Sequence, residues 1–116
     1  MKIEMLRAKL HRATVTDADL NYEGSISIDP ELYRAAGMVE YEKVDVLNIT
    51  NGARLTTYII NGKEREVCLN GAAARLAHKG DKVIICSYCS LEMEEAQNHR
   101  PNVILLDDEN KIKSGK

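Results

Sequence analysis

The residues of this chain best suited to chemistry lie in the stretch Asn21-Tyr22-Glu23-Gly24-Ser25-Ile26-Ser27-Ile28-Asp29. A glycine followed by a serine, between a polar approach and an alternating Ile-Ser-Ile run, puts a hydroxyl where a turn enters a strand. Such a serine can attack its own chain. With the Gly24 carbonyl held over Ser25 Oγ, an N-to-O acyl shift converts the amide to an ester. Loss of the serine Cα proton then breaks the ester and leaves dehydroalanine, which hydrolyses to a pyruvoyl group. Gly24 suits the step because the missing Cβ permits positive φ and lets the hydroxyl approach the carbonyl without a side-chain clash. The same dipeptide is a common turn before a strand, so the pair alone leaves both readings open.

The elements that must position this junction can be read from periodicity. Residues 5–16 alternate with one change of phase, from Leu6, Ala8 and Leu10 to Ala13 and Val15, which predicts an early strand. Lys9 and His11 share its parity and point to one side. For His11 a structural hydrogen bond and a substrate contact both stand. Residues 16–19 read as a turn or short helical cap. Residues 25–28 read as a strand, followed by a short helix with Asp29 as N-cap, Pro30 at its first position and Gly37 beyond its end. Val44 and Val46 alternate with Asp45 and Leu47 on a strand that Asn51-Gly52 turns back as a hairpin. On the return strand Arg54, Thr56 and Tyr58 share parity and Thr57 opposes them. A bulge or sharp twist is therefore needed if Thr57 and Tyr58 are to reach one site. Taken alone, Tyr58 fits a half-buried strand tyrosine as well as a catalyst.

After a strand over 66–69, Asn70-Gly71-Ala72-Ala73-Ala74 opens a helix expected to run to Gly80, with small residues exposing backbone N–H groups at its first turn. That turn suits a carboxylate, although alanine also serves propensity and close packing. A β-branched strand over 81–90, a short amphipathic helix over 92–98, a break at Arg100-Pro101 and a strand over 103–106 complete the pattern. The polar tail 107–116 carries no motif and is expected to lack fixed structure.

The whole chain narrows the function classes. Its 116 residues suffice for one domain and leave little room to enclose a substrate without a partner copy. With no Trp or Phe, the core must come from Ile, Leu, Val and Ala with Tyr at its margins, and base stacking is disfavoured. A net charge of -2 offers no basic footprint for nucleic acid. No stretch reaches membrane-spanning length and the first residues have no apolar signal segment, so a cytoplasmic protein is expected. Cys68, Cys86 and Cys89 are read as reduced thiols. Cys86 and Cys89 have the C-x-x-C spacing but opposite strand parity and no second pair to complete a zinc site. A noncatalytic β-barrel interaction module and a cysteine-histidine metal protein are the competing classes.

The ordered set Met5 through Thr16, Asp19 through Ser25, Thr50-Asn51-Gly52 with Arg54, Thr57-Tyr58 and Asn70 through Ala74 closely resembles the pyruvoyl-dependent aspartate 1-decarboxylases, from about Met1 to Asn102. Two departures are visible: Ile26 stands where many relatives have cysteine, and the loop 61–66 looks shorter than in some of them. The resemblance implies a mainly β fold, a double-psi β-barrel with short helices, assembled as a homotetramer with sites between subunits. It implies self-cleavage between Gly24 and Ser25 into a β chain, 1–24, and an α chain, 25–116, that begins with the pyruvoyl group. The implied reaction is decarboxylation of L-aspartate to β-alanine for pantothenate synthesis, through an imine on Ser25's pyruvoyl ketone, with no PLP and no metal. The resemblance makes Tyr58 the proton donor and assigns substrate contacts to Lys9, Arg54, Thr57, Gly71, Ala72 and Ala73, with His11, Tyr22 and Asn70 in support. A maturation factor acts on some members of this family.

Overall fold

The computed structural model describes residues 1–115. Among these residues nine strands form one continuous sheet: β1 (Lys2–Thr14), β2 (Asp17–Asp19), β3 (Ser25–Ile28), β4 (Lys43–Asn48), β5 (Arg54–Asn61), β6 (Val67–Asn70), β7 (Lys82–Glu92), β8 (Asn102–Leu106) and β9 (Ile112–Gly115). Their order is β2-β6-β3-β5-β4-β7-β1-β8-β9. The mainly β, barrel-like architecture agrees with expectation. Two short helices, α1 (Pro30–Ala35) and α2 (Met93–Ala96), cover its margins. No helix among the described residues is long and apolar enough to cross a membrane.

The core is aliphatic, as the absence of Trp and Phe requires. Leu10, Val15, Ile26, Ile28, Val44, Val46, Ile59, Val67, Leu69, Val83 and Ile85 are buried, and Tyr33 is the one aromatic among the largest buried side chains. β1 is long enough to pair with β7 along its length and with β8 at Ala8 through His11. The change of phase read in its sequence is real: the β1–β7 register shifts between Leu10 and Ala13, where Arg12 adopts φ 64°. α1 is capped as expected, with Asp29 Oδ1 accepting from the Glu31 N–H (2.9 Å) and Gly37 at φ 79°. Asp29 Oδ2 also accepts from the Arg65 N–H (2.6 Å), tying the helix to the loop before β6.

Four local expectations need correction. Residues 17–19 are neither turn nor helical cap: Thr16 bonds the Val67 backbone through its N–H (2.7 Å) and its Oγ1 (3.0 Å), which lays the next residues parallel to β6. The β4–β5 hairpin forms, but over five residues, 49–53, with positive φ at Gly52 and not at Asn51. The helix expected over 70–80 is a 3-10 helix of five residues, Gly71–Arg75. It starts at Gly71 with φ 60°, outside helical space, and the Asn70 side chain is engaged across the sheet instead of capping it. The tail is ordered as far as it is described. A turn in which Asp107 Oδ1 accepts from the Glu109 and Lys111 N–H groups returns the chain as β9 against β8, and the last tail residue, 116, lies outside the described residues.

The hairpin loop owes its length to Asn48. This buried amide donates to the Leu76 carbonyl (3.1 Å) and to Asp81 Oδ2 (2.9 Å), while its oxygen accepts from the N–H groups of Thr50 (2.9 Å) and Asn51 (3.3 Å). It joins the hairpin to the segment that follows the 3-10 helix. The Asn48 amide and the His78 N–H hold the Asp81 carboxyl below its usual 3.8. A carboxylate whose folded pKa is depressed contributes stability that is full above the unfolded value and is lost as pH falls through the folded one. Asn48→Ala should lower unfolding free energy by about 2–4 kcal/mol in urea titrations near neutral pH, from four lost hydrogen bonds and the polar groups they leave. Acid unfolding of the variant should also set in at higher pH than in the parent, because the largest cause of the Asp81 depression is gone.

Candidate active site

β3 and β6 run antiparallel with Ser25 opposite Asn70, Ile26 opposite Leu69, Ser27 opposite Cys68 and Ile28 opposite Val67. Alternation therefore sorts the pair into an apolar face buried in the core and a polar face holding Ser25, Ser27, Cys68 and Asn70. The polar face is buried too, with Ser25 only 1% exposed. Ser25 Oγ donates to the Glu23 carbonyl (3.1 Å) and accepts from Asn70 Nδ2 (3.1 Å). The same nitrogen donates to Ser27 Oγ (2.8 Å), and the Cys68 thiol donates to Asn70 Oδ1 (3.3 Å). Neither Ser27 nor Cys68 was assigned to the site from sequence. The signal for them is parity, two positions from Ser25 and from Asn70.

Gly71 holds the approach to Ser25 from the other side. A Cβ there would lie 2.7 Å from Gly24 Cα and N and 2.8 Å from the Tyr22 carbonyl, all backbone atoms that cannot swing away. At Gly24 itself an added Cβ would meet nothing within 4 Å. The junction is thus packed tightly on one side and open on the other.

The open side is a cleft of about 370 Å³ walled by Gly24, Leu55, Thr56, Thr57, Tyr58, Ala72, Ala73 and Leu76. Thr57 and Tyr58 both reach it, yet the β4–β5 register runs unbroken from Lys43 opposite Tyr58 to Leu47 opposite Arg54. No bulge is needed because β3 begins only at Ser25 and pairs with β5 from Ile59 onward. The Arg54–Tyr58 half of β5 therefore has no β3 neighbour, and an uncovered strand edge presents residues of both parities. Leu55 and Thr56 join the wall for the same reason, Leu76 joins it from the end of the 3-10 helix, and none of the three was singled out from sequence. Tyr22 lines a second cleft behind the junction, with Ser27, Asn61, Cys68 and Asn70.

The sequence-derived family model described as aspartate decarboxylase matches residues 1–113. The chain belongs to the aspartate decarboxylase family. Curated relatives named aspartate 1-decarboxylase include those of Bdellovibrio bacteriovorus, 59% identical over 97% of this chain and 90% of the relative, and of Caldicellulosiruptor bescii, 60% identical over 97% and 89%. That of Ralstonia nicotianae is 58% identical over 97% of this chain and 96% of its own.

Within one copy of this aspartate decarboxylase family member, the candidate residues separate into two groups. Gly24, Ser25, Thr57, Tyr58, Asn70, Gly71, Ala72 and Ala73 meet around the junction, with Tyr22 beside them. Lys9, His11 and Arg54 do not. Lys9 is opposite Cys86, which is opposite Asp45, which is opposite Thr56. Three strand spacings, about 14 Å, thus separate Lys9 from Thr56 on one sheet face. Arg54 is exposed at the start of β5, four residues and about 13 Å of strand from Tyr58. His11 Nδ1 is buried with no partner among the described residues, so the structural hydrogen bond considered for it is not made at that atom. Burial, with the charges of Lys9 and Arg12 nearby, lowers the His11 pKa. Cys68, Cys86 and Cys89 are free thiols, as read from sequence.

Gly71→Ala tests the packing of the junction. It forces alanine into left-handed space and drives a methyl into the Gly24 backbone, so unfolding free energy should fall by about 1–3 kcal/mol in denaturant titrations. Parental stability in this variant would show that the junction yields freely.

Proposed function

We propose that this chain decarboxylates L-aspartate to β-alanine after cutting itself between Gly24 and Ser25, and that the downstream piece, 25–116, then begins with a pyruvoyl group made from Ser25. The observation that carries this reading is the Ser25 hydroxyl: buried, with its proton directed to the Glu23 carbonyl and one lone pair held by Asn70. One lone pair is left for attack on the preceding carbonyl. In the shift, Oγ bonds to the Gly24 carbonyl carbon, the Gly24–Ser25 C–N bond breaks, and the hydroxyl proton ends on the released amine. Removal of the Ser25 Cα proton expels the Gly24 carboxylate, and water then replaces nitrogen, releasing ammonia. The open space around Gly24 lets the departing carboxylate move off, while the close Gly71 contact keeps its backbone at the strand end until cleavage.

The residues present suit a pyruvoyl group. Its carbonyl oxygens call for a neutral donor at position 25, which the Asn70 amide supplies, and for a cleft of small-molecule size beside it, about 300 Å³ or more. When formed, the group supplies an electrophilic ketone that draws electrons as CO₂ leaves. The side chains bind and move protons around it. Tyr58 stands in the cleft wall and remains partly exposed, where its phenol can deliver a proton to the substrate carbon. Thr57, Ala72 and Ala73 wall the substrate, and Tyr22 and Asn70 shape the back of the site. The Arg54 guanidinium, a planar fork, suits the carboxylate that the product retains, because strong pairing with the departing one would stabilise the ground state against reaction.

Lys9 and Arg54 stand apart from the junction along and across the sheet, and in this reading neighbouring copies of a homotetramer complete each site. Exposed Ile3, Ile49, Tyr58 and Tyr88 on the strands and hairpin give such an assembly apolar surface to bury. A cytoplasmic place in pantothenate synthesis, and a maturation partner if self-cleavage is slow, belong to the same reading. PLP and metal have no part in it.

Intact mass tests the nucleophile: the parent should resolve into 1–24 and 25–116, and Ser25→Ala should remain one chain because the acyl shift needs Oγ. Fragments split after Gly24 in Ser25→Ala would remove Ser25 from this role. Tyr58→Phe should still split, since the ring packing is kept, while β-alanine release falls by about 10²- to 10⁴-fold, the usual contribution of a general acid. Parental turnover in the processed variant would assign the proton to another group.

A further inference from the structure

We propose that Ser27 and Cys68 are positioning residues for self-cleavage: they clamp the Asn70 side-chain amide so that its N–H group, and not its carbonyl oxygen, meets Ser25 Oγ. The inference rests on the reading of Ser25 as the nucleophile. A primary amide can turn over end for end, and the two ends do opposite things to a serine hydroxyl. With the nitrogen toward Ser25, the amide donates and the serine proton stays on the Glu23 carbonyl, leaving one lone pair to attack. With the oxygen toward Ser25, the amide would compete for that proton and turn the hydroxyl away from Glu23.

The surroundings of Asn70 choose between these orientations. Its Nδ2 has two hydrogens, one directed to Ser25 Oγ (3.1 Å) and the other to Ser27 Oγ (2.8 Å). Its Oδ1 receives the Cys68 thiol (3.3 Å), which also makes a longer approach to the Leu69 carbonyl (3.9 Å) and faces the Asp19 backbone N–H. Reversal would set the amide hydrogens against a thiol, a poor acceptor, and would require the Ser27 hydroxyl to rotate and become a donor. Ser25 and Asn70 are almost fully buried, and Ser27 and Cys68 are buried at the floor of the cleft behind the junction, so a lost partner on Asn70 leaves a polar group with little access to water. Cys68 remains a donor at any working pH, because burial, reinforced by the carboxylates of Glu66, Asp17 and Asp19, pushes its thiol up to about 11. The arrangement follows from strand register: Ser27 opposes Cys68 two pairs further along from Ser25 and Asn70, on the same face.

The experiment follows splitting of freshly synthesised chain by intact mass, fitted to a first-order rate, with an unfolding midpoint taken for every variant. Ser27→Ala and Cys68→Ala should each slow splitting by about 3- to 10-fold, the effect of one buried hydrogen bond on a positioned group. Cys68→Ser, which restores a donor, should return the rate to within about twofold of the parent. Adding either alanine to Asn70→Ala should slow that variant no further, whereas a merely structural role would slow it again. The clamp is overturned by parental rates in both single variants, or by undiminished effects on top of Asn70→Ala. If a variant fails to fold, the Asn70 side-chain amide protons are read by NMR in uncut Ser25→Ala: Ser27→Ala in that background should raise exchange of one of the pair, and unchanged exchange overturns the clamp. A parent that does not split, or a Ser25→Ala chain that does, strikes the reading of Ser25 itself. A splitting parent with unaffected variants strikes the clamp alone.

Discussion

The antiparallel register between β3 and β6 fixes everything else about the site. Ile26, Ile28, Val67 and Leu69 on one face are fully buried, and each such side chain contributes about 1.5–3 kcal/mol when taken from water. The hydrogen bonds on the other face contribute about 0.5–1.5 kcal/mol each. The apolar face therefore decides the register, and the polar face inherits it. A slip of one residue would turn every side chain over, putting Ser25 and Ser27 into the core and the isoleucines against Asn70. The position of the proposed nucleophile is thus held by aliphatic packing some distance from any chemistry. Its hydroxyl need only be oriented locally, by the Glu23 carbonyl and the Asn70 amide.

From the same constraint follows the shape of the cleft. Because β3 starts at Ser25, the first half of β5 is left without a neighbour on that side, and the short 3-10 helix Gly71–Arg75 stands off across the gap. Gly24 sits at the edge of this opening, pressed from behind by Gly71. The Asn48 cluster joins the β4–β5 hairpin to the segment leaving that helix, which fixes the far wall. Strand ends, turns and one asparagine hub set the geometry, and none of them needs to touch a substrate.

Much of this was legible in the sequence where local patterns and burial agree. The strand after Gly24, the Asp29-Pro30 helix start, the phase change before Ala13 and the alternation of Val44 and Val46 all carry their reasons within a few residues. The failures are cases where a side chain is engaged over a long sequence distance. Asn70 looks like a helix cap until Ser25, forty-five positions away, takes its amide. The tail looks unstructured because its composition is polar, yet buried Asn110 accepts from the Thr14 N–H (2.7 Å) and donates to the carbonyls of Thr14 (2.9 Å) and Arg65 (3.0 Å), so the chain is anchored by polar contacts that periodicity does not register. Parity correctly grouped Arg54 with Tyr58 but gave no distance across or along the sheet, and so could not show that Lys9 and Arg54 stand apart from the junction. The bulge expected between Thr57 and Tyr58 was unnecessary for a reason that only tertiary structure supplies: an open strand edge shows both faces.

The central claim is that Ser25 becomes the reactive carbonyl of the mature protein. Mass spectrometry of the purified chain, with and without hydroxylamine, tests it most directly. The expected result is a 25–116 fragment lighter by one ammonia than the same fragment beginning with serine, and a single oxime adduct confined to that fragment. An uncut chain, or a 25–116 fragment that begins with intact serine and takes up no hydroxylamine, would contradict it.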